Sequence, residues 1–378
     1  VQTTGQVVRE RRRQRALPRV AVVHDYLTQR GGAERVVLAM MQAFPGATLH
    51  TTVYEPSTTF PEFAQYDVRT SWLNRVPAFR RDPRAALALL PAAVRSLEID
   101  DVDLVLCSSS GWAHGVRTSA AKLVYCHNPA RWIYQAQQYT ARMSLPVRTL
   151  AAAARPLVRR WDHEAAHSAD HYLVNSSVVL DRVRASYGIE GEVLHPPMSM
   201  DVHGPQSAVP GIAPGFHLAV GRARGYKNLD VTVEAFRRLP ESRLVVVSEP
   251  LDVDLPANVT VTGRVTDEQM RWLYAHATAL VATSHEDFGL TPVEANAFGK
   301  PAYVLRAGGY LDTLAEGLSG VFLEAPTADA IVEGVRRGDA TSFDPDLIRA
   351  HADAWSVRSF VDGLDARMAS VLQRRSAP

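Results

Sequence analysis

The sequence predicts an α/β protein built from two doubly wound, Rossmann-like parallel-sheet domains facing each other across a cleft. Three observations predict it. Short apolar runs alternate with helix-length amphipathic segments over nearly the whole chain, which implies parallel sheets covered by helices on both faces. A stretch rich in Pro, Gly and Ser interrupts the alternation near the middle, and the alternation then restarts. The length of 378 residues exceeds what one core ordinarily serves.

The elements follow in order. Residues 1–18 carry five arginines before Pro18 and no apolar stretch, so they read as a disordered basic tail and not as a secretory signal. The first domain spans 19–198. RVAVVHDY is its first strand and Ala33 to Phe44 a helix; ATLHTTVY, VDLVLCSSS and KLVYCHNP are further strands. A long basic amphipathic region, RTLAAAARPLVRRWDHEAAHSA, precedes strand HYLVNSS, helix Val178 to Tyr187 and strand GEVLHPP. Residues 199–215 read as an interdomain linker. The second domain, 216–355, runs through strand FHLAVGR, helix Leu229 to Leu239, strands SRLVVVSE and NVTVTGR, helix Asp267 to His276 and strand ALVATS. A helix from Pro292, strand PAYVLR, a helix near Leu311 and strand GVFLE complete it.

Composition excludes several classes. The net charge of +1 gives no whole-molecule field for nucleic acid. Cys107 and Cys126 each end an apolar run, so both read as buried thiols in a reducing, cytoplasmic compartment. No run of about 18 apolar residues is present for a membrane span. The segments WLNRVPAFRRDPRAALALLPAAVRSL and RTLAAAARPLVRRW are basic and amphipathic. They either touch the inner face of an anionic membrane or pack on the first domain with arginines outward.

Ligands of open α/β sheets bind beyond the carboxyl ends of the strands. In the first domain those ends carry His24-Asp25, Ser108-Ser109-Ser110 and His127-Asn128; in the second, Gly221-Arg222, Ser248-Glu249, Gly263-Arg264, His285-Glu286 and Arg306. Gly31 and Gly32 stand just before a helix, where backbone can approach an anion. No G-x-G-x-x-G or Walker A sequence appears, so a nicotinamide dinucleotide is not expected. Arg222 and Lys227 place two cations at a cleft mouth, which suits a diphosphate. Each gains roughly 4 kcal/mol of gross attraction at about 4 Å.

The stretch VATSHEDFGLTPVEANAFGKPAYV puts Glu286 and Glu294 at either end of a glycine-containing loop. Thr291-Pro292-Val293-Glu294 begins a helix, and Thr291 with Glu294 fits a capping box. Two acceptor-only carboxylates flanking an anion site make sense for a ligand with a diphosphate centre and hydroxyls on both sides. That describes a sugar nucleotide, one carboxylate for the sugar and one for the ribose.

EDFGLTPVE, preceded by VGRARGYKN and followed by FGKPAYVLRAGG, resembles family 4 retaining glycosyltransferases of the GT-B fold. HDYLTQRGGAERVV and YCHNPARWIY are similar to a bacterial subgroup with O-antigen and exopolysaccharide mannosyltransferases. The resemblance runs from Arg19 to about Trp355. It implies that Arg222 and Lys227 hold the donor diphosphate and that Glu286 binds hydroxyls of the transferred sugar. It further implies that the amides of Phe288, Gly289 and Leu290 lie near sugar and phosphate, that Thr291 opens the helix there, and that Glu294 binds the ribose. Gly31 and Gly32 would approach the diphosphate, His127 would sit near the sugar, and residues 356–378 would form a helix crossing back onto the first domain. His285 has no role in this scheme.

The resemblance implies a retaining hexosyl transfer from a nucleotide sugar, GDP-mannose first and UDP-sugars next. The acceptor is a carbohydrate, lipid-linked or small-molecule hydroxyl, as in polysaccharide assembly. No cofactor and no metal is expected, because cations already balance the diphosphate. The D-x-D sequences at Asp101–Asp103 and Asp252–Asp254 lie at the wrong end of a strand and in a proline-bounded loop. A sugar-nucleotide 2-epimerase of the same architecture, or a non-catalytic sugar-nucleotide binder, are the alternatives.

Overall fold

The computed structural model describes residues 18–376, except 88, 100, 136–144, 199 and 222–226. The basic tail expected over 1–18 thus lies outside the described residues save for Pro18. The chain divides into two compact units, one running to Pro197 and resuming at Val357, the other Met198–Ser356.

The first unit holds a seven-stranded sheet ordered β3-β2-β1-β4-β5-β6-β7, every neighbouring pair parallel. The strands are β1 (Val20–His24), β2 (Thr48–Thr51), β3 (Val68–Thr70), β4 (Leu104–Ser109), β5 (Ala121–Cys126), β6 (His171–Val174) and β7 (Glu192–Val193). The five residues of β1 and the six each of β4 and β5 are all buried, as an apolar run covered on both faces must be. Helix α1 (Gly32–Ala43) turns Val36, Val37, Met40 and Met41 onto one face of the sheet. Helix α2 (Leu145–Ala166) and α3 (Ser177–Tyr187) serve the other face, through Trp161, Ala165, Val179 and Val183. Cys107 and Cys126 are buried free thiols. Burial pushes the Cys107 thiol up to about 12 and that of Cys126 higher still, so both are inert.

The second unit holds a six-stranded parallel sheet ordered β10-β9-β8-β11-β12-β13. Its strands are β8 (Phe216–Val220), β9 (Leu244–Val247), β10 (Val259–Val261), β11 (Ala277–Ala282), β12 (Ala302–Leu305) and β13 (Gly320–Leu323). Helices α4 (Leu229–Arg237), α5 (Asp267–His276), α6 (Leu290–Ala297), α7 (Ala328–Asp339) and α8 (Pro345–Ala352) accompany them. The final helix, α9 (Val357–Ser376), belongs to the first unit. Its Phe360, Val361, Leu364, Met368 and Val371 recur at helical spacing and join the core around α1 and β5.

Of the segment expected as the interdomain linker, 199–215, the described residues 200–215 carry no regular element, and Met200, Val209 and Ile212 pack on the second core. Arg271 Nε donates to Pro205 O at 2.7 Å and Ser207 N to Glu268 O at 3.2 Å. Three apolar side chains and a few backbone bonds bind the segment although its sequence has no period.

Both sheets reverse strand order at one place, between β1 and β4 in the first unit and between β8 and β11 in the second. Strands on either side of such a switch send their helices to opposite faces, which opens a crevice at their carboxyl ends.

Candidate active site

In the second unit the switch point gathers residues from the ends of β8, β11 and β12. Lys227 lies just after the strand end at Gly221, and a Cβ added at Gly221 would stand 3.3 Å from Lys227 Cδ. Lys227 Nζ reaches Glu286 Oε1 at 2.5 Å, with both side chains roughly four-fifths buried. Asn228 holds the turn. It adopts a left-handed backbone (φ 51°), and its Nδ2 donates to Thr283 O at 2.7 Å. Thr283 Oγ1 in turn donates to Lys227 O at 3.3 Å. The lysine is thereby fixed to the end of β11. Arg222, its expected companion, lies outside the described residues.

The loop after β11 is shaped by two glycines that follow β12. Gly309 N donates to Glu286 O at 2.9 Å. A Cβ at Gly308, whose φ is +63°, would meet Glu286 O at 2.3 Å, and one at Gly309 would meet Phe288 Cα at 2.2 Å. Only glycine lets the two backbones lie this close. Phe288 is buried in a small cluster with Val293 and Trp355, against which Leu290 also packs. The ring of Tyr310 fills the space a Cβ at Gly289 would need, and its hydroxyl lies 2.9 Å from Ser284 Oγ.

Helix α6 begins at Leu290, two residues before the expected Pro292, with Gly289 as N-cap in the left-handed region (φ 86°) and no side-chain cap. The capping box expected from Thr291 and Glu294 is therefore absent; the glycine turn starts the helix before Thr291 can act as cap. Thr291 is half-buried in the first turn. Glu294 is buried, and its Oε2 accepts from Tyr274 OH at 2.7 Å. The positive end of α6 thus opens on the loop that carries Glu286. His285 is exposed.

The switch point of the first unit is a buried hydrogen-bonded chain. His24 and Ser108 are register partners at the ends of β1 and β4. His24 Nδ1 lies 3.1 Å from both Ser108 O and Ser108 Oγ, and Ser108 Oγ lies 2.8 Å from His127 Nε2. On the other side, His24 Nε2 faces Glu34 Oε1 at 3.7 Å, and Gln29 Nε2 donates to the same oxygen at 3.0 Å. His24, Glu34, Ser108 and His127 are all at least nine-tenths buried. Burial alone would lower the His24 pKa, but Glu34 and then Asp25 overcome it and the net direction is up. His127 goes the other way, to about 3, through burial and then the nearby His24.

Neighbours of these residues prove structural. Asp25 Oδ1 accepts from Trp112 N at 3.0 Å and Ala113 N at 2.7 Å, and its Oδ2 from Ser110 N at 2.5 Å, so it caps the turn after β4. Gly31 has an extended backbone, and the space its missing Cβ leaves is taken by Glu34 Oε2, which a Cβ would approach to 2.6 Å. Gly32 opens α1 and is exposed. Asn128 Oδ1 accepts from Arg182 Nη1 at 3.2 Å. Asp101 and Asp103 pair with Arg19, and Asp254 with Arg237. On α2 the inward Asp162 accepts from Tyr187 OH at 2.9 Å and lies 3.0 Å from His114 Nε2, while Leu157 is 75% exposed on the outer side. Among the described residues no helix is long and apolar enough to cross a membrane.

Sequence reasoning placed Lys227, Glu286 and Glu294 in one unit and His127 and Gly31 in the other. It missed Glu34, Tyr274, Gly308, Gly309 and Tyr310. A glycine pair after a strand, facing the loop of the preceding strand, is the signal that would have found two of them.

Comparison with known proteins agrees with this geometry. Residues 30–201 match the family described as Glycosyltransferase Family 4, and residues 213–337 match Glycosyl transferases group 1. A D-inositol 3-phosphate glycosyltransferase of Mycolicibacterium smegmatis is 28% identical over 267 residues, covering 61% of this chain and 60% of the relative. A mannosylfructose-phosphate synthase of Agrobacterium fabrum is 26% identical over 312 residues, 70% of this chain and 68% of the relative. The chain thus spans about 60% of the length of that first curated relative. Among solved structures, HepE of Anabaena in complex with UDP and glucose aligns with a TM-score of 0.68 at 15% identity, over 94% of this chain and all of HepE. Sucrose-phosphate synthase of Thermosynechococcus elongatus aligns at 0.68 and 16% identity, over 95% of this chain and all of that one. Two parallel-sheet units and these neighbours establish the GT-B fold.

Proposed function

We propose that this chain, which carries a family 4 and then a group 1 glycosyltransferase domain, is a retaining glycosyltransferase that moves a sugar from a nucleoside diphosphate to an acceptor hydroxyl. The observation that carries the reading is the Lys227–Glu286 contact at the β8/β11 switch point, with the start of α6 beside it. A cation suited to a diphosphate and a carboxylate suited to sugar hydroxyls stand side by side on a rigid frame. Glu294, turned inward from α6 with Tyr274 OH on its Oε2, is the ribose ligand of this reading.

The difficult step is breaking the bond between the sugar's anomeric carbon and the diphosphate oxygen. The bonding electrons leave with the diphosphate, and Lys227, Arg222 and the amides of Phe288, Gly289, Leu290 and Thr291 stabilise the charge that develops. The acceptor oxygen attacks on the face the diphosphate leaves, and its proton passes to a departing phosphate oxygen, so configuration is retained. No protein base, metal or cofactor is part of this scheme. The donor is GDP-mannose or a UDP-sugar. Mannose is favoured by the subgroup resemblance and by the mannosylfructose-phosphate relative, and UDP by HepE. The acceptor is a carbohydrate or lipid-linked hydroxyl. The exposed arginines of α2, Arg155, Arg159 and Arg160, suit an anionic membrane face that presents it.

Thermal unfolding with UDP, GDP, UDP-glucose and GDP-mannose tests the reading. One nucleotide should stabilise the chain by about 2.7 kcal/mol at a hundredfold excess over its Kd. The matching sugar nucleotide, given a glycan acceptor, should yield a product with the donor's anomeric configuration. Stabilisation by none of the four, or conversion of donor alone to its epimer, would overturn it.

A further inference from the structure

The buried chain in the first unit carries an assignment of proton positions. Ser108 O can only accept, so His24 Nδ1, 3.1 Å away, must be an N–H. Ser108 Oγ, also 3.1 Å from that nitrogen, therefore cannot donate to it. The hydroxyl proton then has one described acceptor, His127 Nε2 at 2.8 Å. A histidine that accepts through Nε2 and is neutral carries its proton on Nδ1. Among the described residues no hydrogen bond engages that Nδ1, whereas the His127 backbone is fixed at both ends, N to Ser109 O at 2.8 Å and O from Asn175 Nδ2 at 3.1 Å.

We infer that Ser108, His24 and Glu34 are positioning residues that hold His127, which the resemblance already sets near the sugar, in the neutral Nδ1–H tautomer, so that it meets the substrate as a hydrogen-bond donor. The use made of the donor rests on the transferase reading above; the tautomer does not. The charged and titratable groups facing the ring are consistent. From β1 comes His24, backed by Asp25 and, on its far side, by Glu34 of α1; from β5 the ring of Tyr125 stands edge-on at 5.2 Å. Glu34 favours the imidazolium at His24, which keeps the Ser108 hydroxyl turned to His127 and disfavours a second charge there. Burial, and then the nearby His24, lower the His127 pKa in the same direction. His127 is then excluded as a base, because its only lone pair is already occupied by Ser108.

Ring-nitrogen NMR of the full chain labelled at histidine, with the His127 signals assigned through a His127→Gln variant, reads the tautomer without any substrate. The expected pattern is a pyrrole-like Nδ1 and a pyridine-like Nε2, unchanged from pH 8 to pH 6. A pyrrole-like Nε2 would overturn the inference outright. Ser108→Ala should lose that pattern and lower kcat about tenfold with little change in donor KM, the effect of one hydrogen bond. Ser108→Thr keeps the hydroxyl and should restore kcat to within about threefold. Equal loss in both variants, or a normal kcat in Ser108→Ala while His127→Ala is slow, would also overturn it. If no sugar nucleotide turns over in the parent chain, the transferase reading fails, while the spectra still decide the tautomer.

Discussion

The two switch points of this molecule are built by opposite means. That of the second unit is made of backbone. Gly308 and Gly309 lie flush against the loop of Glu286, Gly289 starts α6, and one ion pair about four-fifths buried, Lys227–Glu286, stands over the frame. That of the first unit is made of side chains, with Glu34, His24, Ser108 and His127 in an almost fully buried file. The first construction suits a ligand that brings its own charges and displaces what it meets. The second suits a fixed dipole that must point one way before anything binds. The difference teaches that the same sheet order can deliver either a receptive site or a preset one, depending on whether glycines or buried polar groups occupy the strand ends.

The largest expected effect breaks the second unit's half of this comparison. Lys227→Ala removes a preorganised cation from the proposed leaving-group site and should slow transfer by about 10²–10³. Melting should change little, because the staple from Asn228 to Thr283 O does not use the lysine side chain. Turnover is read with the sugar nucleotide found by thermal shift, and a rate near that of the parent would remove Lys227 from the site.

A smaller effect sharpens the claim that backbone builds this site. A methyl group at Gly309 would sit 2.2 Å from Phe288 Cα and 2.4 Å from Phe288 O, against backbone that has no rotamer to change. Gly309→Ala should therefore destabilise the second unit by about 1–3 kcal/mol and weaken nucleotide binding with it. Gly46→Ala in the first unit is the control: its backbone is left-handed (φ 94°) while that of Gly309 is not (φ −67°), and nothing lies within 4 Å of an added Cβ. Gly309→Ala thus reads the close approach without a φ penalty and Gly46→Ala the φ penalty without a contact, and an unchanged stability in Gly309→Ala would show that the close approach does not matter.

Much of the frame was legible in the sequence because its signals are local. Apolar runs with polar ends, such as VAVVH and LVLCSS, are short enough to read as covered strands, and the spacing of Lys227, Glu286 and Glu294 sits within single strand–loop–helix units. What was illegible is what distance in sequence hides. His24, Glu34, Ser108 and His127 meet only because β1, β4 and β5 are neighbours in the sheet. Tyr274 reaches Glu294 from the preceding helix, twenty residues away. Strand β3 has three residues and no run to announce it. The capping box misled because Thr291 and Glu294 have the right spacing, and only the left-handed turn at Gly289 shows that the helix starts earlier. Residues 200–215 hide their packing for the opposite reason, since Met200, Val209 and Ile212 are too irregularly spaced to signal it.

The smallest effect tests whether the side-chain construction leaves the first unit sensitive to acid. His50 is held down to about 4 by burial and then by Arg69, and His127 to about 3 by burial and then by His24. Both stay neutral in the folded chain, whereas in the unfolded chain they titrate near the usual 6.5. Below that value the unfolded state binds more protons. Stability is therefore constant above about pH 6.5 and falls as pH drops toward the folded values, by at most about 1.4 kcal/mol per pH unit for each histidine. His24 has the opposite sign: its raised pKa contributes fully below about 6.5 and is lost as pH rises through the folded value. In the second unit the buried His217 lies 2.9 Å from Asp339 Oδ1. Hydrogen exchange between pH 7 and pH 5, above the ordinary carboxylate range, should show first-unit amides losing protection before second-unit amides. His50→Gln should flatten that slope by the share of one histidine. If the second unit loosens first, or if the slope persists unchanged, the buried histidines of the first unit are not what sets its response to acid.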